Sequence, residues 1–131
     1  MSTAVRYYSR SGNTKAVAEA LAKAAGVKAV SVDTAEARIS EPVDVLFIGG
    51  ALYAYGIDKN LKEYLGTLKK ENGKRAVVFS TFWVSKHTIR IIKKALADAG
   101  ITVEDEYFYV RNKPNDEQLK EAEKFAKKFV K

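Results

Sequence analysis

The feature that most constrains this chain is the alternation of short apolar runs with longer stretches of helical periodicity. Residues 43–48 are apolar apart from Asp44, and residues 75–80 contain Ala-Val-Val-Phe, as is typical of strands buried on both faces of a sheet. Between these runs, Asp58 is placed to cap a helix that ends near Leu68. Strands separated by helices indicate right-handed βαβ units around a parallel sheet, so the pattern predicts an α/β fold.

The same pattern continues along the whole chain and predicts five strands and four helices. The predicted strands are residues 3–8, 27–32, 43–48, 75–80 and 101–110. The predicted helices are residues 13–25, closed by Gly26, residues 58–68, a helix from Ser85 to about Ala99, and one starting at Asn115 or Asp116. No repeat or linker divides them. We therefore expect a single domain over residues 1–131, a three-layer sandwich around a five-stranded parallel sheet.

Cysteine and histidine counts restrict the chemistry that the chain can perform. The absence of cysteine excludes disulfides, thiolate nucleophiles, iron–sulfur clusters and cysteine-ligated zinc. A single histidine, His87, excludes a multi-histidine metal site and argues against a Ser-His-Asp triad. We therefore predict no metal site, and expect any redox chemistry to come from a non-covalent cofactor. No run of about 18 apolar residues and no secretory signal is present, so we expect no membrane span and a cytoplasmic location.

A polar loop follows the first predicted strand and leads directly into a helix. It consists of Ser9, Arg10, Ser11, Gly12, Asn13 and Thr14. A glycine lets successive backbone amides point to one place, the helix N-terminus adds a positive dipole, and three hydroxyl side chains add donors. The loop lacks both the Walker A and the GxGxxG pattern. It suits a phosphate monoester, although most such hexapeptides, taken in isolation, are polar turns in which a residue such as Ser11 or Asn13 caps the helix.

Residues 7–14, Tyr-Tyr-Ser-Arg-Ser-Gly-Asn-Thr, resemble the FMN phosphate loop of the flavodoxin family, whose pattern is Ser/Thr-x-Ser/Thr-Gly-Asn-Thr. The resemblance covers nearly all of the chain, and the length is similar to that of a short-chain flavodoxin. It implies a flavodoxin-like fold with strand order 2-1-3-4-5 and the ligand at the switch between strands 1 and 3. It also implies that the loop at residues 9–14 binds the phosphate of FMN.

The family resemblance assigns two more strand ends to the flavin ring. After the third strand, where the family often has Gly-Ser-Pro-x-Tyr or Gly-Ala-Ser-x-Tyr, the implied contacts are Ala51, Leu52, Tyr53, Ala54, Tyr55 and Gly56. Tyr53 is the first candidate for ring stacking and Tyr55 the second. After the fourth strand the implied contacts are Thr81, Phe82, Trp83 and Val84, although the family's common Gly-Asp pair is missing there. The alternative is that these aromatic side chains cover the core or face a partner.

Positive charge is concentrated in the second half of the chain. The formal charge is +7, and residues 66–131 hold fifteen basic and nine acidic side chains, against eight and seven before them. The basic cluster comprises Lys69, Lys70, Lys74, Arg75, Lys86, Arg90, Lys93 and Lys94. Such a cluster is usually a solvated face. Because flavodoxins are generally acidic, a basic member predicts redox partners that are acidic at the docking surface. No nucleic-acid-binding signature is present, and we expect a monomer.

The sequence leaves three functions open. The first is an FMN-binding electron-transfer protein, in which the flavin performs the redox chemistry and no catalytic side chain is required. The second is an FMN-dependent oxidoreductase of the quinone reductase or protoporphyrinogen oxidase type, which residues 48–56 also resemble, although the chain has little spare length for a substrate site. The third is a flavodoxin-like scaffold that has lost FMN.

Overall fold

The computed structural model of the protein describes residues 2–10, 12–53, 56–82, 87–111 and 113–130, without the side chains of residues 52–53, 56–57, 82 and 87–88. The strands are β1 (Thr3–Tyr7), β2 (Ala29–Ser31), β3 (Val43–Tyr53), β4 (Gly56–Ile57), β5 (Gly73–Phe82) and β6 (Thr102–Arg111). The helices are α1 (Asn13–Ala25), α2 (Lys59–Thr67), α3 (His87–Asp98) and α4 (Asp116–Lys127), with 3₁₀ turns at Ala35–Ala37 and Lys70–Asn72.

The main sheet is parallel throughout, with the strand order β2-β1-β3-β5-β6. This confirms the predicted order 2-1-3-4-5, because β5 and β6 are the fourth and fifth of the predicted strands. From β1 the chain turns to β2 on one side and then crosses to β3 on the other. The direction of winding therefore reverses between β1 and β3, which is where doubly wound sheets form a ligand crevice beyond the carboxyl ends of their strands.

Two apolar clusters, one on each face of the sheet, form the core. On β3, Val45 and Phe47 point into the cluster shared with α1 and α4, while Leu46 and Ile48 point into the cluster shared with α2 and α3. All four side chains are fully buried. Successive side chains of a strand point to opposite faces, which explains why a strand between two helical layers has an unbroken apolar sequence. Each such side chain contributes about 1.5–3 kcal/mol by burial, so these runs fix the three-layer arrangement.

Helix boundaries follow the capping signals in the sequence. Helix α1 has the predicted bounds and ends at Gly26, whose φ of 73° is left-handed and whose amide donates to the carbonyl of Lys23. Asp58 caps α2, and Asn115 forms a capping box with Gln118 at the start of α4. Ser85, the predicted cap of α3, lies outside the described residues.

Strand β3 is longer than the sequence indicated. The apolar run predicted a strand that ends at Ile48, but it continues through Gly49 and Gly50 to Tyr53 and returns as the short antiparallel strand β4. A Cβ atom on Gly49 would lie 2.1 Å from the carbonyl oxygen of Phe79 on β5. The glycine therefore allows β3 to approach its neighbour closely, and it continues the strand instead of ending it.

Arg6 occupies the central strand β1 and finds its partner on the connection between β2 and β3. Its Nε donates to the carbonyl oxygen of Ala37 at 2.8 Å, and the hydroxyl of Tyr64 donates to the same oxygen at 2.6 Å. Burial raises the pKa of Tyr64, so the phenol remains a protonated donor even at a pH where an exposed tyrosine would ionise. Arg6 and Tyr64 thus hold this connection against the sheet.

Candidate functional site

The ends of β1, β3 and β5 lie side by side, which brings the three predicted loops to one edge of the sheet. The amide of Tyr8, just after β1, donates to the carbonyl of Gly49 on β3 at 3.2 Å. The hydroxyl of Ser80 on β5 donates to the carbonyl of Gly50 at 2.6 Å, and Ala51 is the register partner of Thr81. The ends of these three strands are therefore adjacent, and the candidate contacts Ala51 and Thr81 lie opposite each other.

The polar loop after β1 turns into α1 through a left-handed glycine. Gly12 has a φ of 92° and is the N-cap residue of α1, and its amide donates to the hydroxyl oxygen of Ser9 at 2.9 Å. A Cβ atom at Gly12 would meet nothing within 4 Å, so the backbone here faces open space. Only glycine adopts this φ without strain, which explains its place in the loop. Ser11 lies outside the described residues.

The N-terminus of α1 differs from those of α2 and α4. Its N-cap residue, Gly12, has no side chain to offer, and its first turn contains no acidic residue. By contrast, the Asp58 side chain caps α2, while α4 has the Asn115 cap and two acidic residues in its first turn. A helix N-terminus carries about half a positive charge and orphan amide donors. At α1 neither the N-cap residue nor a first-turn carboxylate offsets that charge, an arrangement that suits an anion.

Two buried hydroxyl groups join α1 to the end of β5. The Oγ1 atoms of Thr14 and Thr81 lie 2.6 Å apart, and these residues are only 1% and 4% exposed. One hydroxyl donates to the other, so the proton of the second hydroxyl needs a different acceptor. In the part of the chain that the structure describes, neither residue shows one. A buried donor of this kind normally has a partner, and an oxygen of a bound phosphate would supply it.

An ion pair connects the loop after β1 with the start of α2. Both Nε and Nη2 of Arg10 donate to Oδ2 of Asp58, at 2.9 and 2.6 Å, while Oδ1 of Asp58 accepts from the amide and side chain of Asn60. Burial acts to raise the pKa of Asp58, but the hydrogen bonds from Asn60 and Arg10 outweigh it and the pKa lies below its usual value. Asp58 is therefore a charged group, although it is only 5% exposed.

The contact between Arg10 and Asp58 was not predicted from the sequence, which indicated Asp58 only as a helix cap. The two residues lie 48 positions apart, and no local pattern connects them. The available signal was the position of each residue: Arg10 follows the first strand, and Asp58 opens the helix after the third. Because the carboxyl ends of adjacent parallel strands share one edge, opposite charges at those places are candidates for a pair.

The remaining predicted contacts are described only in part. Leu52 pairs with Ile57, and Tyr53 with Gly56, in the β3–β4 hairpin, so the predicted second loop is largely a strand and its return. Phe82 ends β5 as the register partner of Arg111 on β6. Ala54, Tyr55, Trp83 and Val84 lie outside the described residues. Stacking of Tyr53 or Tyr55 on a flavin thus stays a prediction.

Acidic and backbone groups lie among the side chains of the predicted basic cluster. Ion pairs of 3.1–3.2 Å join Lys74 to Asp44, Arg75 to Glu104, and Lys94 to Asp98. The ammonium group of Lys93 donates to the carbonyl of Asp105 and lies 5.0 Å from the ring centre of Tyr107. Lys86 lies outside the described residues. Part of the positive charge is therefore compensated locally.

Membrane-spanning helices and metal clusters are both missing from the part of the chain that the structure describes. No helix among those residues is long and apolar enough to cross a membrane. Nor do those residues contain a group of three or more aspartate, glutamate or histidine side chains that could hold a metal ion.

The fold and the polar strand ends define a doubly wound α/β domain with a candidate anion site at its topological switch point. The family model described as a flavodoxin domain matches residues 4–130, which is nearly the whole chain. The chain therefore belongs to the flavodoxin family. A comparison with proteins of curated function gives no match.

Solved structures share the fold at low sequence identity. A flavodoxin from the domain Archaea is 24% identical with a TM-score of 0.87, over 99% of this chain and 96% of that one. Oxidised flavodoxin 1 from Bacillus cereus is 20% identical with a TM-score of 0.81, over 98% and 97%. Rubredoxin oxygen:oxidoreductase from Desulfovibrio gigas is 19% identical with a TM-score of 0.84, over 97% of this chain but 34% of that one. These likenesses show the fold.

Proposed function

We propose that this protein binds FMN without a covalent bond and transfers electrons between partner proteins. The observation that carries the proposal is the polar end of α1. The N-terminus of this helix has no side-chain cap from Gly12 and no acidic residue in its first turn. Beside it lies the Thr14–Thr81 pair, in which one hydroxyl proton has no acceptor among the described residues. A phosphate would satisfy both, since its oxygens accept hydrogen bonds and its charge complements the helix dipole.

In this proposal the chain binds and orients the cofactor and supplies no catalytic side chain. Residues 9–14 hold the phosphate through backbone amides and hydroxyl groups, while residues 51–56 and 81–84 surround the ring. FMN, when bound, accepts and donates electrons through its isoalloxazine ring. The buried pairing of β3 with β5 up to Ala51 and Thr81 gives these segments a rigid base.

A spectroscopic titration tests the proposal. The purified protein is mixed with FMN, the excess is removed, and the visible spectrum is recorded; riboflavin, which lacks the phosphate, is tested in parallel. We expect stoichiometric retention of FMN and much weaker retention of riboflavin. If FMN is not retained at micromolar concentrations, the protein is a flavodoxin-like scaffold and the proposal is wrong.

A matched pair of variants locates the phosphate contact. Thr14→Val removes a buried hydroxyl but keeps the side-chain shape, and we expect it to weaken FMN binding about tenfold, as for one lost hydrogen bond to a charged group. Riboflavin binding should change little. Thr67→Val makes the same change on the exposed side of α2 and should leave both affinities unchanged.

We also propose that the redox partners are acidic where they dock, on the basis of the net charge of +7. Under this proposal the protein passes electrons to another protein and has no small substrate of its own. Turnover of a quinone or a porphyrinogen by the purified protein alone would instead indicate the oxidoreductase alternative.

A further inference from the structure

The Arg10–Asp58 ion pair joins two segments that the proposed function requires to act together. Arg10 lies within the loop at residues 9–14, and Asp58 directly follows β4, the return strand of the hairpin at the second predicted loop. The contact uses two donors of one guanidinium on a single carboxylate oxygen. Charge-assisted hydrogen bonds of this kind are among the stronger ones in proteins and have defined geometry.

Asp58 is the fixed partner in this pair. Its backbone carbonyl accepts from the amide of Lys62 in the first turn of α2, and its second carboxylate oxygen is held by Asn60. Asp58 is 5% exposed, whereas the side chain of Arg10 is 57% exposed. Holding a long, exposed side chain in one rotamer costs conformational entropy, and the two charge-assisted hydrogen bonds to the buried carboxylate offset that cost.

We propose that Asp58 is a positioning residue for phosphate binding: it holds Arg10, and through Arg10 it keeps the loop at residues 9–14 in the conformation that receives the phosphate of FMN. The inference rests on the proposed function. A loop that is ordered before the ligand arrives loses less conformational freedom on binding, so part of the affinity for FMN depends on this contact. Asp58 itself does not touch the cofactor.

Asp58→Asn is the variant that separates positioning from helix capping. Asparagine caps helices as well as aspartate does, and its oxygen can still accept from the amide of Asn60. Its NH₂ group then faces the guanidinium, so donors oppose donors and the contact with Arg10 is lost. Asp98→Asn is the control, because it makes the same chemical and charge change in an exposed ion pair with Lys94.

Two measurements read the effect. The first is the ratio of the dissociation constants for riboflavin and FMN, which reports the contribution of the phosphate. We expect Asp58→Asn to reduce this ratio about tenfold, mainly by raising the dissociation constant for FMN. This is the effect expected for the loss of one charge-assisted hydrogen bond. The second is hydrogen exchange of the Gly12 amide in the flavin-free protein, which we expect to become faster. Asp98→Asn should change neither value.

A double-mutant cycle assigns the effect to the pair. If Asp58 acts through Arg10, Asp58→Asn should have little further effect on FMN affinity in an Arg10→Gln background. Additive effects would overturn the proposal, because they would show that Asp58 acts by another route.

The outcomes also separate this inference from the proposed function. An unchanged affinity ratio and unchanged Gly12 exchange, accompanied only by a lower free energy of unfolding, would show a purely structural role and overturn the inference. If the wild-type protein binds no FMN, the proposed function fails. In that case faster Gly12 exchange in Asp58→Asn alone would still support the positioning of the loop, and unchanged exchange would reject it.

Discussion

Single residues in this protein have roles that their type alone does not reveal, and the glycines are the clearest case. Gly49 lies against β5, where a Cβ atom would meet the backbone of Phe79, and a Cβ atom at Gly50 would lie 2.4 Å from the Leu61 side chain. Gly66 lies in α2, where a Cβ atom would meet nothing within 4 Å. Gly49 is required because the atom in the way belongs to the backbone of β5, whereas at Gly50 the end of the Leu61 side chain would have to shift. At Gly66 the helix has room for a side chain that the glycine does not supply.

Alanine substitutions at Gly49 and Gly66 should therefore have opposite effects. We expect Gly49→Ala to lower the free energy of unfolding by at least about 2 kcal/mol, because the backbone of β5 cannot move aside cheaply. Gly66→Ala should raise it by about 0.5–1 kcal/mol through the lower entropy of its unfolded chain and its better helix propensity. Denaturant unfolding measures both values. Equal effects at the two positions would contradict the close packing of β3 against β5.

At the scale of elements, the helices differ in how their N-termini are satisfied. Asp58 caps α2 and Asn115 caps α4, so these two helices provide their own partners. Helix α1 begins at Gly12 without such a side chain. The cap of α2 also belongs to the ion pair with Arg10, and this links the stability of one helix to the loop before another.

The charge state of Asp58 should make this link sensitive to acid. Because its pKa is lower in the folded protein than its usual value of about 4, the carboxylate stabilises the folded state at neutral pH. That stabilisation is fully present above about pH 4 and is lost as the pH falls through the folded-state pKa. We expect Asp58→Asn to be less stable than wild type at pH 7 and the difference to shrink between about pH 5 and pH 2.

Denaturant unfolding as a function of pH measures this effect. Ile92→Val serves as a control, because it removes one methylene group from the core and changes no charge. Its deficit relative to wild type should stay constant over the same pH range. A constant deficit for Asp58→Asn as well would show that the ion pair does not contribute to acid sensitivity.

At the scale of the whole molecule, the charged edge strand β6 affects association with other proteins. The edge strand β6 loses its regular register between Val103 and Tyr107, where three consecutive acidic residues, Glu104 to Glu106, lie opposite β5. Irregular, charged edge strands resist pairing with other sheet edges. This arrangement opposes edge-to-edge association through β6.

Electron transfer to an acidic partner protein should slow as ionic strength rises. Opposite charges steer the encounter over distances that salt screens, and the screening length is about 10 Å at 0.1 M salt. Stopped-flow oxidation of the reduced protein by an acidic acceptor protein, followed over a range of salt concentrations, measures this effect. A neutral small-molecule acceptor is the control and should react at a constant rate. A salt-independent rate with the acidic protein would rule out the predicted complementarity.

Much of the fold could be predicted from local sequence, because each element carries its own signal. The bounds of α1, the caps at Asp58 and Asn115, and the buried strands follow from side-chain periodicity and capping chemistry. The length of β3 could not be predicted, since a glycine pair often marks a strand end locally, whereas Gly49 allows close packing against β5 in the folded chain. Propensity describes isolated segments and does not include the neighbouring strand.

By itself, the sequence determined the α/β class, the positions of most elements and the loop that resembles a phosphate site. These follow from the alternation of apolar and polar residues, which decides what each segment can bury. Only the tertiary structure decided that Thr14 meets Thr81 and that Arg10 meets Asp58. The members of these two pairs are separated by 67 and 48 positions in the sequence, respectively. They become neighbours because parallel strands bring their carboxyl ends to one edge of the sheet, and no interaction within a single segment contains that information.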